Sequence, residues 1–134
     1  MRIFLDTNVL ASALMGRGLC RDLLDRAIIE HTILLGAPVR EELHRILTGK
    51  FRVPPDLWSQ LAMRLADFEQ VPGTTAIPKT PIPDPDDIPI LACAIAAKAE
   101  AFVTGDKALL DLTAVGGVPI LSPRQFWLTL TGLK

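Results

Sequence analysis

Short apolar runs alternate along this chain with longer stretches that mix apolar and polar residues. The runs contain almost no polar positions, which is typical of strands that are covered on both faces of a sheet. Each run is too short to be a helix, and each stops at a residue that favours a turn or at an acidic residue. They lie at residues 2–6, 32–35, 101–104 and 118–121.

Helical periodicity fills the intervening stretches. In residues 19–30 the side chains of Leu19, Leu23 and Ala27 recur on one face, and the charged residues lie away from them. Asn8 is placed to cap the first helix. The predicted helices cover residues 9–15, 19–30, 38–48, 54–69, 87–99, 107–112 and the segment from Pro123 onward.

The alternation of strands with helices predicts a parallel sheet that has helices on both sides. The expected fold class is therefore α/β, a three-layer α/β/α arrangement whose central sheet has about four to five strands. Residues 71–77 are predicted to add a short extended piece. The chain of 134 residues is long enough for one core, and residues 1–134 are predicted to form a single domain.

Four carboxylates stand at the ends of these elements. Asp6 closes the first strand, and Asp106 follows the third. Asp87 opens a helix, and Glu42 lies early in another. Because function gathers at the carboxyl ends of the strands in a parallel sheet, Asp6 and Asp106 are expected to lie close together.

Each of these carboxylates also has a simpler explanation. Asp6 suits a turn after a strand, and Asp87 and Asp106 suit the caps of the helices that follow them. Glu42 neighbours Glu41 on a helix, where a glutamate is usually solvated. The functional interpretation therefore depends on the four residues as a set.

Four acidic groups beside a buried sheet require a compensating cation, because like charges repel strongly in a poorly hydrated site. Mg²⁺ and Mn²⁺ prefer oxygen ligands, whereas the chain has no cluster of His and Cys suited to zinc. Nucleases use such ions to polarise a phosphate and to lower the pKa of the attacking water. The set therefore favours metal-dependent cleavage of a phosphodiester.

These segments resemble the PIN-domain nucleases, in particular the VapC-like toxins of bacterial toxin–antitoxin systems. The resemblance runs over nearly the whole chain, and it favours Glu42 over Glu41 as the second acidic residue. The matching segments, in order, are Asp6-Thr7-Asn8, Glu41-Glu42-Leu43-His44-Arg45-Ile46-Leu47, Asp84-Pro85-Asp86-Asp87 and Val103-Thr104-Gly105-Asp106-Lys107.

The resemblance implies a twisted parallel sheet and a site for Mg²⁺ or Mn²⁺ formed by Asp6, Glu42, Asp87 and Asp106. It further implies endonucleolytic cleavage of RNA, frequent assembly as a homodimer and, for toxins, inhibition by a small antitoxin protein. Many members carry another acidic residue two positions beyond the one that matches Asp106. That position is Ala108 in this chain, which implies weak or absent binding of a second metal ion.

Two polar residues are expected to support the carboxylates. Asn8 and Thr104 stand beside them in the sequence, and their amide and hydroxyl groups are suited to orient a carboxylate or a water molecule. The hydroxyl of Thr7 is equally suited to a hydrogen bond within a local turn.

Composition adds few constraints. The chain is 49% apolar with a net charge of -1, which gives no general attraction to nucleic acid. No apolar run approaches the ~20 residues that span a bilayer, and Asp6 would interrupt a signal peptide, so a cytoplasmic protein without a membrane role is expected. One basic stretch forms either a patch that contacts phosphates or a solvated helix face. It contains Arg40, Arg45, Lys50 and Arg52.

Two other functions remain open. In phosphatases of the haloacid-dehalogenase type the first strand also ends in Asp, although a second Asp usually follows two residues later, where this chain has Asn8. A non-catalytic module that binds RNA or protein through a degenerate acidic pocket is the other possibility, and Ala108 leaves room for it.

Overall fold

The chain adopts an α/β fold, in a computed structural model that describes residues 1–132. Its strands are β1 (Arg2–Leu5), β2 (Thr32–Gly36), β3 (Glu69–Val71), β4 (Ala101–Val103), β5 (Ala114–Val115) and β6 (Val118–Leu121). Its α-helices are α1 (Thr7–Met15), α2 (Leu19–Glu30), α3 (Ala37–Arg45), α4 (Pro55–Leu65), α5 (Ile88–Ala96), α6 (Lys107–Leu110) and α7 (Pro123–Thr131). A π-helical turn at Ile46–Lys50 and a 3₁₀ turn at Pro85–Asp87 complete the described elements. None of the helices in residues 1–132 has the length and apolar character needed to cross a membrane.

The order of the strands determines where the chain reverses its direction across the sheet. The order is β3-β2-β1-β4-β6-β5. From β1 the chain first adds β2 and β3 on one side, and it then returns to place β4 on the other side of β1. Neighbouring strands run parallel except for the edge pair of β5 and β6. The reversal therefore lies between β1 and β4, which is where sheets of this kind bind their ligands.

The predicted α/β architecture is confirmed, and the differences concern its shortest strands. The sheet has six strands rather than four to five, because β5 is too short to produce a readable pattern. The extended piece predicted at 71–77 lies earlier, at Glu69–Val71. Helix α4 ends at Leu65 rather than at Glu69, and the side-chain amide of Gln70 donates to the carbonyl oxygen of Leu65 at 2.9 Å. The same carbonyl accepts the N–H of Phe68 at 3.1 Å, so two donors close the end of the helix.

The helix boundaries contain further corrections. Helices α5 and α6 end at Ala96 and Leu110, before the predicted ends at residues 99 and 112. Helix α1 begins at Thr7, and its N-cap is Asp6 rather than Asn8, which lies inside the first turn. The helix predicted at 38–48 is α-helical only to Arg45 and then widens into the π-helical turn. Such turns add one residue to a helical turn and are frequent at functional sites.

The core beneath the centre of the sheet is packed without space for additional atoms. Phe4 of β1 and Phe102 of β4 pair in register, and their ring centroids lie 5.4 Å apart. Gly36 at the end of β2 faces the same cluster. A Cβ at this position would lie 2.8 Å from Sγ of Cys93 and 3.0 Å from Cζ of Phe4. The missing side chain of Gly36 therefore allows α3 to start directly above this core.

The substitution Gly36→Ala is expected to lower the free energy of unfolding by about 1–3 kcal/mol, because the added methyl group overpacks the core. Gly49→Ala is the matched control, since a Cβ there would meet no atom within 4 Å. Both changes affect the unfolded chain in the same way. The difference between the two changes in the free energy of unfolding therefore measures the effect of packing at Gly36. Urea denaturation of the two variants measures it, and equal stabilities would contradict the packing argument.

Candidate active site at the carboxyl edge of the sheet

Asp6 lies at the point where the sheet reverses. It follows β1, its N–H donates to the carbonyl oxygen of Val103 in β4 at 2.9 Å, and only 6% of its surface is exposed. The buried carboxylate accepts one hydrogen bond from the N–H of Thr7 at 2.8 Å and another from Oγ1 of Thr104 at 2.7 Å. Both carboxylate oxygens are therefore oriented, each by its own donor.

Thr104 connects Asp6 with Asp106. It is fully buried after β4, and its N–H donates to the carbonyl oxygen of Leu121 in β6 at 3.0 Å. Its hydroxyl donates to Asp6 and accepts the N–H of Asp106 at 3.0 Å. Asp106 is exposed, and its Oδ1 accepts the N–H of Ala108 at 2.9 Å at the start of α6. A continuous chain of hydrogen bonds thus joins the loops after β1 and β4.

Glu42 and Asp87 reach this edge from two helical segments. Helix α3 starts directly after β2, so Glu42 lies above the carboxyl edge of the sheet, where it is partly buried. Asp87 closes the 3₁₀ turn before α5 and is also partly buried. Oδ1 of Asp84 accepts the N–H of Asp86 at 2.9 Å and thereby fixes the turn that presents Asp87.

The pKa shifts indicate that the four carboxylates act on one another. Burial raises the pKa of Asp6 above its ordinary value, the hydrogen bonds from Thr104 and Thr7 oppose the rise, and the charges of Glu42 and Asp106 add to it. Burial also raises the pKa of Asp87 to about 6, helped by the charges of Asp6, Asp84, Asp106 and Glu42. Within residues 1–132, no Lys or Arg contributes to the pKa shift of either residue. In that part of the chain the negative charges therefore act on Asp6 and Asp87 without an opposing basic side chain.

The oxygen donors of the acidic residues suit a divalent ion, although the side chains do not surround a single point. In the part of the chain that the structure describes, no three His, Cys, Asp or Glu side chains lie close enough together to hold a metal ion as they stand. Mg²⁺ usually takes only one or two carboxylates and keeps several waters, so it does not require such a cluster. The all-oxygen donor set and the uncompensated charge around Asp6 both suit this ion.

Some of the acidic residues also have the structural roles that their simpler explanations predicted. Asp6 and Asp106 do cap helices, α1 and α6 respectively, through one carboxylate oxygen each. Asp87 does occupy the N-cap position of α5, but its side chain makes no capping hydrogen bond to that helix. Its partial burial among other acidic groups is therefore not explained by helix capping.

The two residues that follow Asp6 differ in exposure and in hydrogen bonding. Asn8 is exposed in the first turn of α1, where it borders the acidic residues. The hydroxyl of Thr7 is buried and has no hydrogen-bond partner within residues 1–132. A local turn bond was one possibility for this hydroxyl, but the structure provides none. A buried hydroxyl without a partner is rare, and sequence alone gives no sign of it.

Comparisons with known proteins give the following relatives. A sequence profile described as "PIN domain" matches residues 2–108. A chain in the crystal structure of VapBC2 from Rickettsia felis, bound to a DNA fragment from their promoter, has a similar fold, with a TM-score of 0.63 and 17% identity over 91% of this chain and 98% of that one. The PIN domain endonuclease Utp24 gives a TM-score of 0.53 and 20% identity over 90% of this chain and 84% of the other. No curated protein matches the sequence at a significant level.

The raised pKa of Asp87 predicts a stability that depends on pH. Its folded pKa of about 6 exceeds the ordinary 3.8, so ionising Asp87 in the folded state costs free energy. The cost is absent below the ordinary value and complete above about 6. Without metal, Asp87→Asn should therefore stabilise the protein at neutral pH, by less than about 1 kcal/mol because solvent screens the partly exposed group.

Chemical denaturation in a chelating buffer, at acidic and at neutral pH, measures this difference. Asp86→Asn is the control, since Asp86 is exposed and precedes Asp87 in the same turn. A stabilisation by Asp87→Asn that does not grow as the pH rises would contradict the assigned electrostatic environment.

Proposed function

The chain belongs to the PIN-domain family, and from that membership and its acidic site we propose that it is a metal-dependent endoribonuclease, the toxin of a toxin–antitoxin pair. Its substrate is RNA, its cofactor is Mg²⁺ or Mn²⁺, and it works in the cytoplasm. The chain acts as one domain. Asp6, Glu42, Asp87 and Asp106 form the catalytic site, and Asn8 and Thr104 support it.

The observation that carries this proposal is the environment of Asp6. This carboxylate is buried, it is held at both oxygens, and it lies within the electrostatic influence of Glu42 and Asp106. A protein tolerates such a group when it gains something from the charge, because an uncompensated carboxylate in a poorly hydrated place is destabilising. Binding of a divalent cation provides that gain.

The roles of the residues follow from their positions. Asp6 and Asp106 would hold the ion from the edge of the sheet, and Asp87 would contribute directly or through water. When bound there, Mg²⁺ or Mn²⁺ would supply Lewis-acid chemistry for the scissile phosphate and for the attacking water. Thr104 keeps Asp6 and Asp106 in fixed relative positions, so the site does not need to reorganise when substrate binds. Glu42 positions the attacking water from above the sheet.

Partner proteins have a suitable surface away from this edge. Ile28 and Ile29 on α2 are 46% and 78% exposed, and Met63 on α4 is 73% exposed. Exposed apolar patches commonly mark protein interfaces. A second copy of the chain, giving a homodimer, and a small antitoxin are the partners we assign to these helices.

One observation also favours a non-catalytic module that binds RNA or protein. Residues 1–132 contain no group of acidic side chains already arranged to coordinate an ion. If the acidic pocket binds no divalent ion, it is degenerate and the chain does not cleave RNA. Titration with Mn²⁺ distinguishes the two functions, because a ligand that binds only the folded state raises its melting temperature.

The decisive variants are Glu42→Gln and Glu41→Gln. Glu42 is partly buried and acts on Asp6 and Asp87, whereas Glu41 is exposed and lines a separate hollow with Arg40 and His44. Glu42→Gln should lower kcat for RNA cleavage in Mg²⁺ by at least about 100-fold, because it removes a charge from the reacting centre. Glu41→Gln should change it by less than about twofold, since surface substitutions are usually neutral.

Asp6→Asn extends this test to metal binding. It should abolish cleavage and the Mn²⁺-dependent rise in melting temperature, while the metal-free protein stays at least as stable as the wild type because a buried charge is lost. Cleavage by the Asp6→Asn variant at the wild-type rate, or equal losses in Glu41→Gln and Glu42→Gln, would refute the proposed site.

A further inference from the structure

A groove of about 430 Å³ lies beside the acidic site, between α1 and the π-helical turn. Its volume falls within the ~300–1,000 Å³ that is typical of small-ligand sites. The side chains used below, which define the flanking groove, are Asn8, Ser12, Met15, Ile46, Lys50 and Phe51. From Asn8 to Met15 the helix wall is about 10 Å long.

Both walls of the flanking groove continue from residues of the acidic site. Asn8 lies two residues after Asp6, in the first turn of the helix that Asp6 caps. Ile46 lies four residues after Glu42, and its N–H donates to the carbonyl oxygen of Glu42, so the two side chains share one helical face. A chain that occupied the groove would therefore extend from the acidic site without a break.

The far end of the flanking groove combines a cation with an aromatic face. Nζ of Lys50 lies 5.8 Å from the ring centroid of Phe51, and half of Phe51 is exposed. Among residues 1–132, no acidic side chain lines the groove. Within the described residues the ion pairs are Arg2–Glu69 and Arg21–Asp25, so Lys50 has no acidic partner there. The lysine is therefore available to an anionic ligand.

The π-helical turn explains how this pair is held. The N–H of Phe51 donates to the carbonyl oxygen of Ile46 at 3.2 Å, five residues earlier, which widens the helix. Arg52 then adopts a positive φ of 52°, and the N–H of buried Val53 donates to the carbonyl oxygen of Leu47 at 2.9 Å. These bonds anchor the backbone on both sides of the pair, so Lys50 and Phe51 are presented on a fixed support.

We propose that the flanking groove binds the nucleotide next to the scissile phosphate in single-stranded RNA. The base stacks on the exposed face of Phe51, Lys50 contacts the adjoining phosphate, and Asn8 and Ser12 offer hydrogen bonds to the ribose or the base edge. The proposal rests on the proposed ribonuclease function for its substrate. Lys50 and the absence of any lining carboxylate favour a polyanion over a peptide as the occupant.

Binding of a fluorescent single-stranded RNA separates the contributions of the two side chains. The measurements use the full chain carrying Glu42→Gln, in Mg²⁺, so that cleavage is slow while Asp6 is still present to hold the ion. Lys50→Gln should raise Kd by about 3- to 10-fold and reduce the slope of log Kd against log salt by about 0.7, the value for one phosphate contact on a single strand. Lys98→Gln is the matched control, since Lys98 is exposed just before β4, at the opposite edge of the sheet.

Phe51 should behave differently. Phe51→Leu keeps an apolar side chain but removes the stacking face, and it should raise Kd by about 5- to 20-fold without changing the salt slope. Phe51→Trp should restore tight binding. Melting temperatures check that each variant is folded, and in the cleaving chain the same two losses should appear in KM with little change in kcat.

The outcomes separate this proposal from the proposed function. Unchanged Kd in Lys50→Gln and Phe51→Leu, or no measurable RNA binding at all, overturns the flanking groove as a nucleotide site, even if the wild type cleaves RNA. If binding follows the expected pattern and the wild type cleaves nothing, the ribonuclease function fails and the groove stands. Weaker binding of a co-purifying protein, with the RNA Kd unchanged, would assign the groove to a protein partner and also overturn the proposal.

Discussion

The architecture of the acidic edge depends on the hydrogen bonds that hold the buried carboxylate of Asp6. Thr104 and the N–H of Thr7 each orient one oxygen, and the Thr104 hydroxyl is also bonded to the backbone of Asp106. Without these donors the burial of Asp6 would be strongly unfavourable. The bond from Thr104 exists only because β1 and β4 are neighbours, so the site depends directly on the order of strands in the sheet.

The sheet in turn ties this edge to the core. Phe4 and Phe102 stack on each other, each two residues before a residue of the site, Asp6 and Thr104 respectively. Gly36 leaves room for both the core and the start of α3. Displacement of β1 relative to β4 would therefore move Oδ2 of Asp6 away from its donor, the hydroxyl of Thr104. Packing at the centre of the sheet and the geometry of the acidic edge are two consequences of one strand register.

Sequence reasoning reaches the residues whose positions follow from regular structure. Asp6 and Asp106 follow predicted strands, so their meeting at one edge is an expectation from topology alone. The hydroxyl of Thr7 was not predictable as an unpaired buried group, because its lack of a partner depends on three-dimensional packing. The π-helical turn was also hidden, since Ile46–Lys50 continues the helical pattern of α3 and only the backbone hydrogen bonds reveal the extra residue.

Sequence spacing alone also could not decide whether the basic stretch contacts phosphates or forms a solvated helix face, because that depends on which surface each side chain lines. Arg40 lines a hollow with Glu41, His44 and Trp58, whereas Lys50 lines the flanking groove. Arg40 and Glu42 are two positions apart on α3, so they face different directions. A chain with a net charge of -1 has no overall attraction for RNA, and its acidic edge repels a phosphate until a cation binds. A charge that attracts the proposed RNA ligand must therefore act locally. Lys50 satisfies that condition, because the flanking groove that it lines starts at Asn8, two residues after Asp6.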